Sequence, residues 1–525
     1  MTTLAWWQKG VIYQVYPRSF QDENGDGVGD LAGIAARLEY LATLGIDAIW
    51  LSPIYPSPMA DFGYDISDYC AIDPVFGTLS DFDRLVEPAH VLGLKILVDF
   101  VPNHSSDQHP WFLDSRASRA NAKRDWYLWR DPAPDGGPPN NWLSRMGGSA
   151  WECDPSSGQC YYHSFLPQQP DLNWRNPEVC EAMDAVLRFW LDRGVDGFRV
   201  DVLWLLIKDA LFRDNPTNPQ FSPDEPGHHA QLQTHTEDQP EVHNIVRSMR
   251  RTLDSYGERV LIGEIYLPVP QLVRYYGSAG DGVNMPFNFQ LITARWTASN
   301  IAQLITTYER ALPVHAWPNW VLGNHDNPRV ASRIGAAQAR IAAMLLLTLR
   351  GTPTLYYGDE IGMADGKIPP ELVRDPAELR QPGIGQGRDA ERTPMQWDAS
   401  GKAGFTRGKP WLPIGNAAAA NVASQDGESW SILALYRRLL SLRRSEPALV
   451  AGSIGNVTAQ GHVLTFERCL GSVRLFVALN MEDRPGAITS PAGRVVLSTR
   501  EGRDGHRIAG ELILDSDEGI VVACD

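Results

Sequence analysis

The chain of 525 residues is 43% hydrophobic and 21% charged, enough for two to three globular domains with ample core. Its formal net charge of −16 repels phosphate backbones and anionic lipid, so neither nucleic acid nor a membrane is an expected partner and a neutral small molecule suits it better. The opening MTTLAWWQKG lacks the basic start and apolar run of a signal peptide, and the longest apolar run, IAAMLLLTL, is too short to span a bilayer; a cytoplasmic protein is expected.

In chain order, VIYQVYP (Val11 to Pro17) is β-branched and aromatic and reads as a strand over Ile12–Val15. It runs into QDENGDGVGDLAG (Gln21 to Gly33), which looks like the front of a calcium loop. Numbered from Asp22, side-chain oxygens fall at positions one, three, five and nine (Asp22, Asn24, Asp26, Asp30), with Gly27 at the turn. Gly33 stands where an EF-hand needs its bidentate glutamate, and a strand rather than a helix precedes the loop. An oxygen cage is expected; a calcium sensor is not.

Seven more short runs read as strands: Ala48–Leu51, Ile96–Val101, Gly197–Val200, Val260–Gly263, Gly282–Pro286, Trp320–Gly323 and Thr354–Tyr357, alternating with segments of helical periodicity. Eight such βα units predict an α/β fold, a (β/α)8 TIM barrel, with its chemistry at the C-terminal ends of the strands. Two connections are too long for simple crossovers, His104 to about Asn176 and Asp359 to about Gly427, and long inserts on that face are usually functional. The first is assigned to an inserted small domain over 104–176 after the third strand, the barrel taking 1–103 and 177–449. After WSILALYRRLLSLRRSEPAL, short alternating stretches such as HVLTFER and VRLFVALN predict a C-terminal antiparallel β-sandwich domain over 450–525. The six cysteines form no disulfide framework and no metal-ligand spacing. Cys153 and Cys160 flank the turn-rich DPSSGQ, which would set them opposite each other in a hairpin, but in a reducing compartment free thiols are expected.

What ends the strands carries the chemistry. GFRVD sets Arg199 and Asp201 two apart on one face, where the guanidinium is expected to hold the acid ionised with a low pKa, suited to a nucleophile. LIGE carries Glu264 directly off an apolar run, a setting that raises a carboxyl pKa and favours a proton donor. GNHD delivers His325 and Asp326, and VPNH delivers His104. Any one of these taken alone reads equally well as a helix cap or surface ion pair. Gathered at barrel strand ends, two carboxyls of opposed pKa and a third acid are the equipment for cleaving a glycosidic bond.

These motifs closely resemble those of the α-amylase family, glycoside hydrolase family 13, and within it the bacterial α-glucosidase and oligo-1,6-glucosidase branch. GFRVD resembles the nucleophile strand, GEIY the acid strand, GNHD the third acid and VDFVPNH the strand before the small inserted domain; DFGYDISDY, QPDLNW and GRDAERTPMQW add branch-level likeness. The resemblance implies Asp201 as nucleophile, Glu264 as acid and base, and Asp326 as the third acid on the sugar hydroxyls. It also implies retention of configuration and a carboxyl separation of about 5 to 5.5 Å. By the same resemblance Arg199 tunes Asp201, His104 and His325 donate to the sugar, Tyr64 stacks on its ring, and Phe165 and Gln169 line the rim. Asp61 and Arg388 form an ion pair that closes the pocket, so single glucose units leave from the non-reducing end. The acidic loop corresponds to a structural Ca2+ or Mg2+ site held by Asp22, Asn24, Asp26 and Asp30 through side chains and Val28 through its carbonyl.

Val202, directly after the nucleophile, resembles the residue of isomaltose-cleaving relatives, whereas Met146, Cys153 and Cys160 stand where relatives more often carry aromatics. The expected partner is a small oligosaccharide or α-glucoside, with no organic cofactor, and the expected assembly is a monomer or homodimer. A transglucosylase, or a trehalose- or sucrose-acting relative, would use the same residues. A phosphorylase is less suited, since no glycine-rich phosphate cradle is present.

Overall fold

A computed structural model describes residues 4–525 of the protein. The strands in chain order are β1 (Ile12–Val15), β2 (Ala48–Leu51), β3 (Lys95–Phe100), β4 (Trp129–Arg130), β5 (Trp151–Asp154), β6 (Gln159–Tyr162), β7 (Gly197–Val200), β8 (Val260–Gly263), β9 (Met285–Pro286), β10 (Asn319–Val321), β11 (Thr352–Tyr356), β12 (Ser453–Gln460), β13 (Val463–Leu470), β14 (Val473–Asn480), β15 (Gly486–Ser498), β16 (Arg507–Leu514) and β17 (Gly519–Cys524).

Eight of them form one parallel sheet in the order β10-β11-β1-β2-β3-β7-β8-β9. This is the barrel, closed except for one seam: among the described residues no ladder joins β9 to β10. β9 has only two residues and its second is Pro286, which has no N–H to offer a further neighbour. Alternation along the strands sorts the side chains. Ile12, Ala48, Trp50, Leu97, Ile262 and Met285 fill the barrel interior, while Tyr13, Ile49, Ile96 and Val98 join the larger core under the helices.

The helix Pro177–Asp192 illustrates how the sequence builds the outer ring. Asn176 caps it by accepting from the Glu178 amide at 2.9 Å, Pro177 occupies the first turn, and Val179, Met183, Val186, Leu187, Trp190 and Leu191 form its buried stripe. The chain then enters β7 at Gly197, where a Cβ would collide with the Val260 carbonyl and Leu97 of the flanking strands.

Within the long connection after β3, β4, β6 and β5 form a three-stranded antiparallel sheet, with Trp142, Trp151, Cys160 and Tyr162 in a small core of their own. Here the expectation of free thiols is corrected. Cys153 and Cys160 are directly paired across the β5–β6 hairpin and joined as a disulfide, because antiparallel register sets both side chains on one face. Cys70, Cys180, Cys469 and Cys524 are free.

At the C-terminus six antiparallel strands follow the order β12-β13-β14-β17-β15-β16. One face closes on itself through Val463, Phe476, Ile488, Val495, Leu514 and Val522; the other, through Leu464, Phe466 and Leu479, continues the barrel-side core. Register breaks in β15 bend that strand so that the sheet can curl.

Candidate active site

Ladder geometry brings the two principal acids together. The Asp201 amide, one residue past β7, donates to the Phe100 carbonyl of β3 at 2.8 Å, and the Glu264 amide, one residue past β8, donates to Val200 at 2.9 Å. Each acid thus leaves its strand under a last backbone bond. Both then meet one cation: Arg199 Nη1 lies 2.7 Å from Asp201 Oδ1, and Nη2 lies 2.7 Å from Glu264 Oε2. A third carboxylate, Asp99 of β3, accepts from the same Nη1 at 2.7 Å and also from Tyr64 Oη (3.1 Å) and Trp50 Nε1 (3.3 Å). All four charged groups are buried.

One guanidinium among three carboxylates changes the expected electrostatics of Asp201. Burial pushes the Asp201 carboxyl well up, and the Glu264 and Asp99 charges add to this, against the pull of Arg199. The expectation that Arg199 would hold Asp201 low therefore fails, because burial outweighs the cation and Asp99 and Glu264 share it. Glu264 moves as expected: burial raises it and Asp326 adds, opposed by Arg199 and by the Val202 amide. That amide donates to Glu264 Oε2 at 2.9 Å from a residue in the left-handed region, φ 37° and ψ 44°. A β-branched side chain resists this conformation, and here it aims a backbone donor at the acid.

Loops build the other end. Asp61 Oδ1 lies 2.6 Å from Arg388 Nη2, and Arg388 also reaches Asp375 (2.6 Å through Nε) and Asp326 (3.4 Å through Nη1). Asp61 sits in a tight loop with positive φ at Met59, Phe62 and Gly63. Asp65 holds that loop by accepting from the amides of Ala60 (2.8 Å) and Asp61 (3.0 Å). Gln169 Nε2 donates to Asp61 Oδ2 at 3.2 Å. His104 Nε2 is 3.0 Å from the Tyr64 carbonyl, and its ring meets Phe165 at 5.3 Å.

Asp326 is gripped by Arg392 Nη2 at 2.8 Å. Burial pushes its carboxyl up, yet it lies well below the usual range through its charged surroundings, His325, Arg392 and Arg388. Since burial keeps His325 itself neutral, the two guanidiniums carry this effect. The His325 ring lies nearly coplanar with Tyr64 (5.4 Å, 4°) and meets its hydroxyl at the edge, Nε2 to Oη 2.6 Å.

The structure thus gathers Asp201, Glu264, Asp326, Asp61, Tyr64, His104, Gln169, Arg199, Val202, His325 and Arg388 into one connected network, with Phe165 at its margin against His104. Sequence reading missed Asp99, Asp375 and Arg392. Asp99 had a signal, an acid inside the apolar run KILVDF, and Arg392 lies within the quoted motif GRDAERTPMQW; Asp375, in the long irregular loop, had none. It also missed Lys208, which is buried, donates to Asn103 Oδ1 at 2.8 Å and pairs with Asp171, tying the inserted segment to the barrel.

The acidic loop is organised by its own amides. Asp22 accepts from Gly25 (2.6 Å) and Gly27 (2.8 Å), Asn24 from Asp26 (2.8 Å) and Asp26 from Val28 (2.8 Å). Asp30 accepts from Glu23, Asn24 (3.2 Å each) and Gly33 (2.6 Å), the last as a helix cap. Among the described residues no group of three or more His, Cys, Asp or Glu is arranged as a metal cage. The donor set is nonetheless all hard oxygen, and an oxygen holding one amide keeps a second lone pair.

Residues 14–452 match the family model described as the α-amylase catalytic domain. A probable α-glucosidase of Rhizobium meliloti (strain 1021) is 43% identical over 524 residues, covering 97% of this chain and 94% of its own length. An oligo-1,6-glucosidase of Parageobacillus thermoglucosidasius is 36% identical, covering 95% and 94%. Among solved structures, an α-glucosyl transfer enzyme superposes with a TM-score of 0.94 at 41% identity over 100% of both chains. A trehalulose synthase superposes with 0.91 at 37% identity, over 99% of this chain and 100% of its own. With eight parallel strands, acids at their C-terminal ends and matches across nearly its whole length, the chain belongs to the α-amylase family.

Proposed function

We propose that the protein is an exo-acting, retaining α-glucosidase that releases α-glucose from the non-reducing end of short α-glucosides. The observation that carries this reading is the single guanidinium of Arg199 touching both Asp201 and Glu264, with the Asp61–Arg388 pair across the network. Asp201 attacks the anomeric carbon while protonated Glu264 delivers its proton to the departing oxygen; water then enters with Glu264 as base. The raised pKa of Glu264 keeps that proton available at a higher pH than an ordinary glutamate would. Asp326, held ionised by Arg392 and Arg388, binds ring hydroxyls and stabilises the positive charge that develops on the sugar. His104 and His325 donate to the same sugar. The Asp61–Arg388 pair leaves room for one glucose unit.

Sugar in place of water as acceptor turns the same residues to transglucosylation. The α-glucosyl transfer enzyme and trehalulose synthase among its structural neighbours support this second reading. Val202 favours α-1,6 linkages on this reading, an effect of about 1 to 3 kcal/mol for one side chain. The acidic loop takes a structural Ca2+ or Mg2+ on Asp22, Asn24, Asp26, Asp30 and the Val28 carbonyl, pinning the loop after β1. The enzyme is placed by this reading in the cytoplasm as a monomer or homodimer, which four free thiols suit.

The test is turnover of an aryl α-glucoside with the anomer of released glucose followed by NMR. α-Glucose is expected first, no turnover in Asp201→Asn, and a loss of about 10²- to 10⁴-fold in Glu264→Gln. Initial rates on maltose, isomaltose, trehalose and sucrose, with products analysed at high sugar concentration, separate hydrolysis from transfer. β-Glucose as first product would overturn the retaining reading.

A further inference from the structure

Gln14 has no place in the chemistry above, yet it is fully buried on β1 and touches His325. Its Nε2 lies 2.7 Å from His325 Nδ1 and 3.1 Å from Ser52 Oγ. On the far side of the imidazole, Nε2 lies 2.6 Å from Tyr64 Oη and 3.4 Å from Asp326 Oδ2. The ring packs against Tyr16 (5.7 Å, 20°), has Trp50 at its edge, and lies edge to edge and nearly coplanar with Tyr64.

We infer that Gln14 is a positioning residue that fixes the tautomer of His325, holding Nδ1 as a bare acceptor so that the ring's one proton lies on Nε2, where it is donated to Tyr64 Oη in the absence of sugar and faces Asp326. An amide N–H facing Nδ1 requires a lone pair there. Independently, the Asp326 carboxylate requires a proton on Nε2, since a bare nitrogen at that distance would set two lone pairs against each other. Tyr64 Oη then accepts from Nε2 and passes its own proton to Asp99 Oδ2, so each donor in the row from Gln14 to Asp99 has an acceptor.

The reverse placement of the Gln14 amide fails on satisfaction. Oε1 is buried with no partner, and exchanging it for NH2 would strand two donors instead of leaving one acceptor unused. It would also set a carbonyl against Nδ1, draw the proton to that nitrogen and strip Nε2 facing Asp326.

The groups facing the ring keep it neutral as well as oriented. Asp326 favours a cation, but Arg392 donates to the His325 carbonyl at 2.7 Å, Arg199 and Arg388 stand beyond, and Tyr16, Tyr64, Trp50 and Gln14 bring no anion. Asp99, the other nearby acid, is screened behind Tyr64. Gln14 therefore does for His325 what a carbonyl or carboxylate hydrogen-bonded to the ring does for other histidines, with opposite polarity: it donates to Nδ1, which excludes the imidazolium.

This inference rests on the reading of His325 as a donor to the sugar, and its test separates the two. In full-length protein carrying 15N-labelled histidine, the His325 signals are identified among twelve histidines by their loss in His325→Asn. A protonated Nε2 and an unprotonated Nδ1, unchanged from about pH 5 to 8, are expected in the wild type. A proton on Nδ1 overturns the inference without any variant. In Gln14→Glu the new carboxylate accepts from Nδ1, so an imidazolium signature is expected, with kcat/KM reduced on the order of 100-fold, the scale of one misdirected preorganised donor, and a new ionisation in its pH profile. Ring signals and pH profile identical to wild type in a folded Gln14→Glu also overturn it. Absence of α-glucoside turnover in a wild type with the expected tautomer would sink the proposed activity and leave this inference standing.

Discussion

Two guanidiniums organise opposite ends of this site, and they are built differently. Arg199 sits on a barrel strand, and its partners Asp99, Asp201 and Glu264 stand on or one residue beyond three adjacent strands. Arg388 sits in a long irregular connection, and its partner Asp61 lies 327 positions away in another loop. The first cluster sets three carboxylates against one guanidinium, and burial raises the pKa of Asp201 and Glu264 there. The second adds Arg392, so Asp326 stays ionised beside two cations. On the proposed mechanism proton chemistry falls to the rigid strands, and recognition of one sugar to loops that can change without disturbing the barrel.

Exchanging each arginine for lysine should separate the two roles. Lysine has one nitrogen and cannot reach Asp99, Asp201 and Glu264 together, so Arg199→Lys leaves buried carboxylates unpaired at a cost of about 3 to 5 kcal/mol. A loss in kcat of about 10²- to 10³-fold and a lower melting temperature are expected. In Arg388→Lys the loss is expected mainly in KM, about tenfold or more for disaccharides, because the removed contacts bind ground and transition states alike. Equal kcat losses in both variants would erase the distinction. A finer probe is pH. On the proposed mechanism Asp201 acts ionised and Glu264 protonated, so kcat/KM is expected to rise as pH passes the raised pKa of Asp201 and to fall as pH passes that of Glu264. Both limbs belong to the coupled cluster, and both should lie above the ordinary carboxylate range. Glu264→Gln, assayed on an aryl glucoside that needs no proton, should lose the alkaline limb and shift the acid limb to lower pH, since the Glu264 charge helps to raise Asp201. The smallest effect is expected at the acidic loop, far from either cluster in kind: chelation should lower the melting temperature by a few degrees, on the order of 1 kcal/mol, and added Ca2+ should restore it. An unchanged melting curve and no bound metal would remove the ion.

The strand cluster was far more legible in the sequence than the loop cluster. Arg199, Asp201 and Glu264 lie in or directly after short apolar runs, where alternation alone says which face they take. Asp99 shares that logic and was legible in principle, but an acid in mid-strand invites no role until its neighbours are known. Arg388, Asp61 and Gln169 were reached only through family motifs, Arg392 was given no role although it lies in one of them, and Asp375 was not reached at all, since irregular backbone has no period from which a direction can be read.

By itself the sequence determined the eight βα units, the C-terminal antiparallel sheet and the acids at the strand ends, because hydrophobic period and turn residues act over a few neighbouring positions. Only the tertiary structure decided that Asp201 is buried and shares Arg199 with two other acids, which reverses its expected pKa, that Cys153 and Cys160 are joined, that the barrel has a seam at Pro286, and that Gln14 faces His325 across 311 positions. The shared charge and the Gln14–His325 contact need groups distant in the chain to meet in buried surroundings, the disulfide needs the register of a hairpin, and the seam needs the neighbours of β9, none of which exists until the chain is folded.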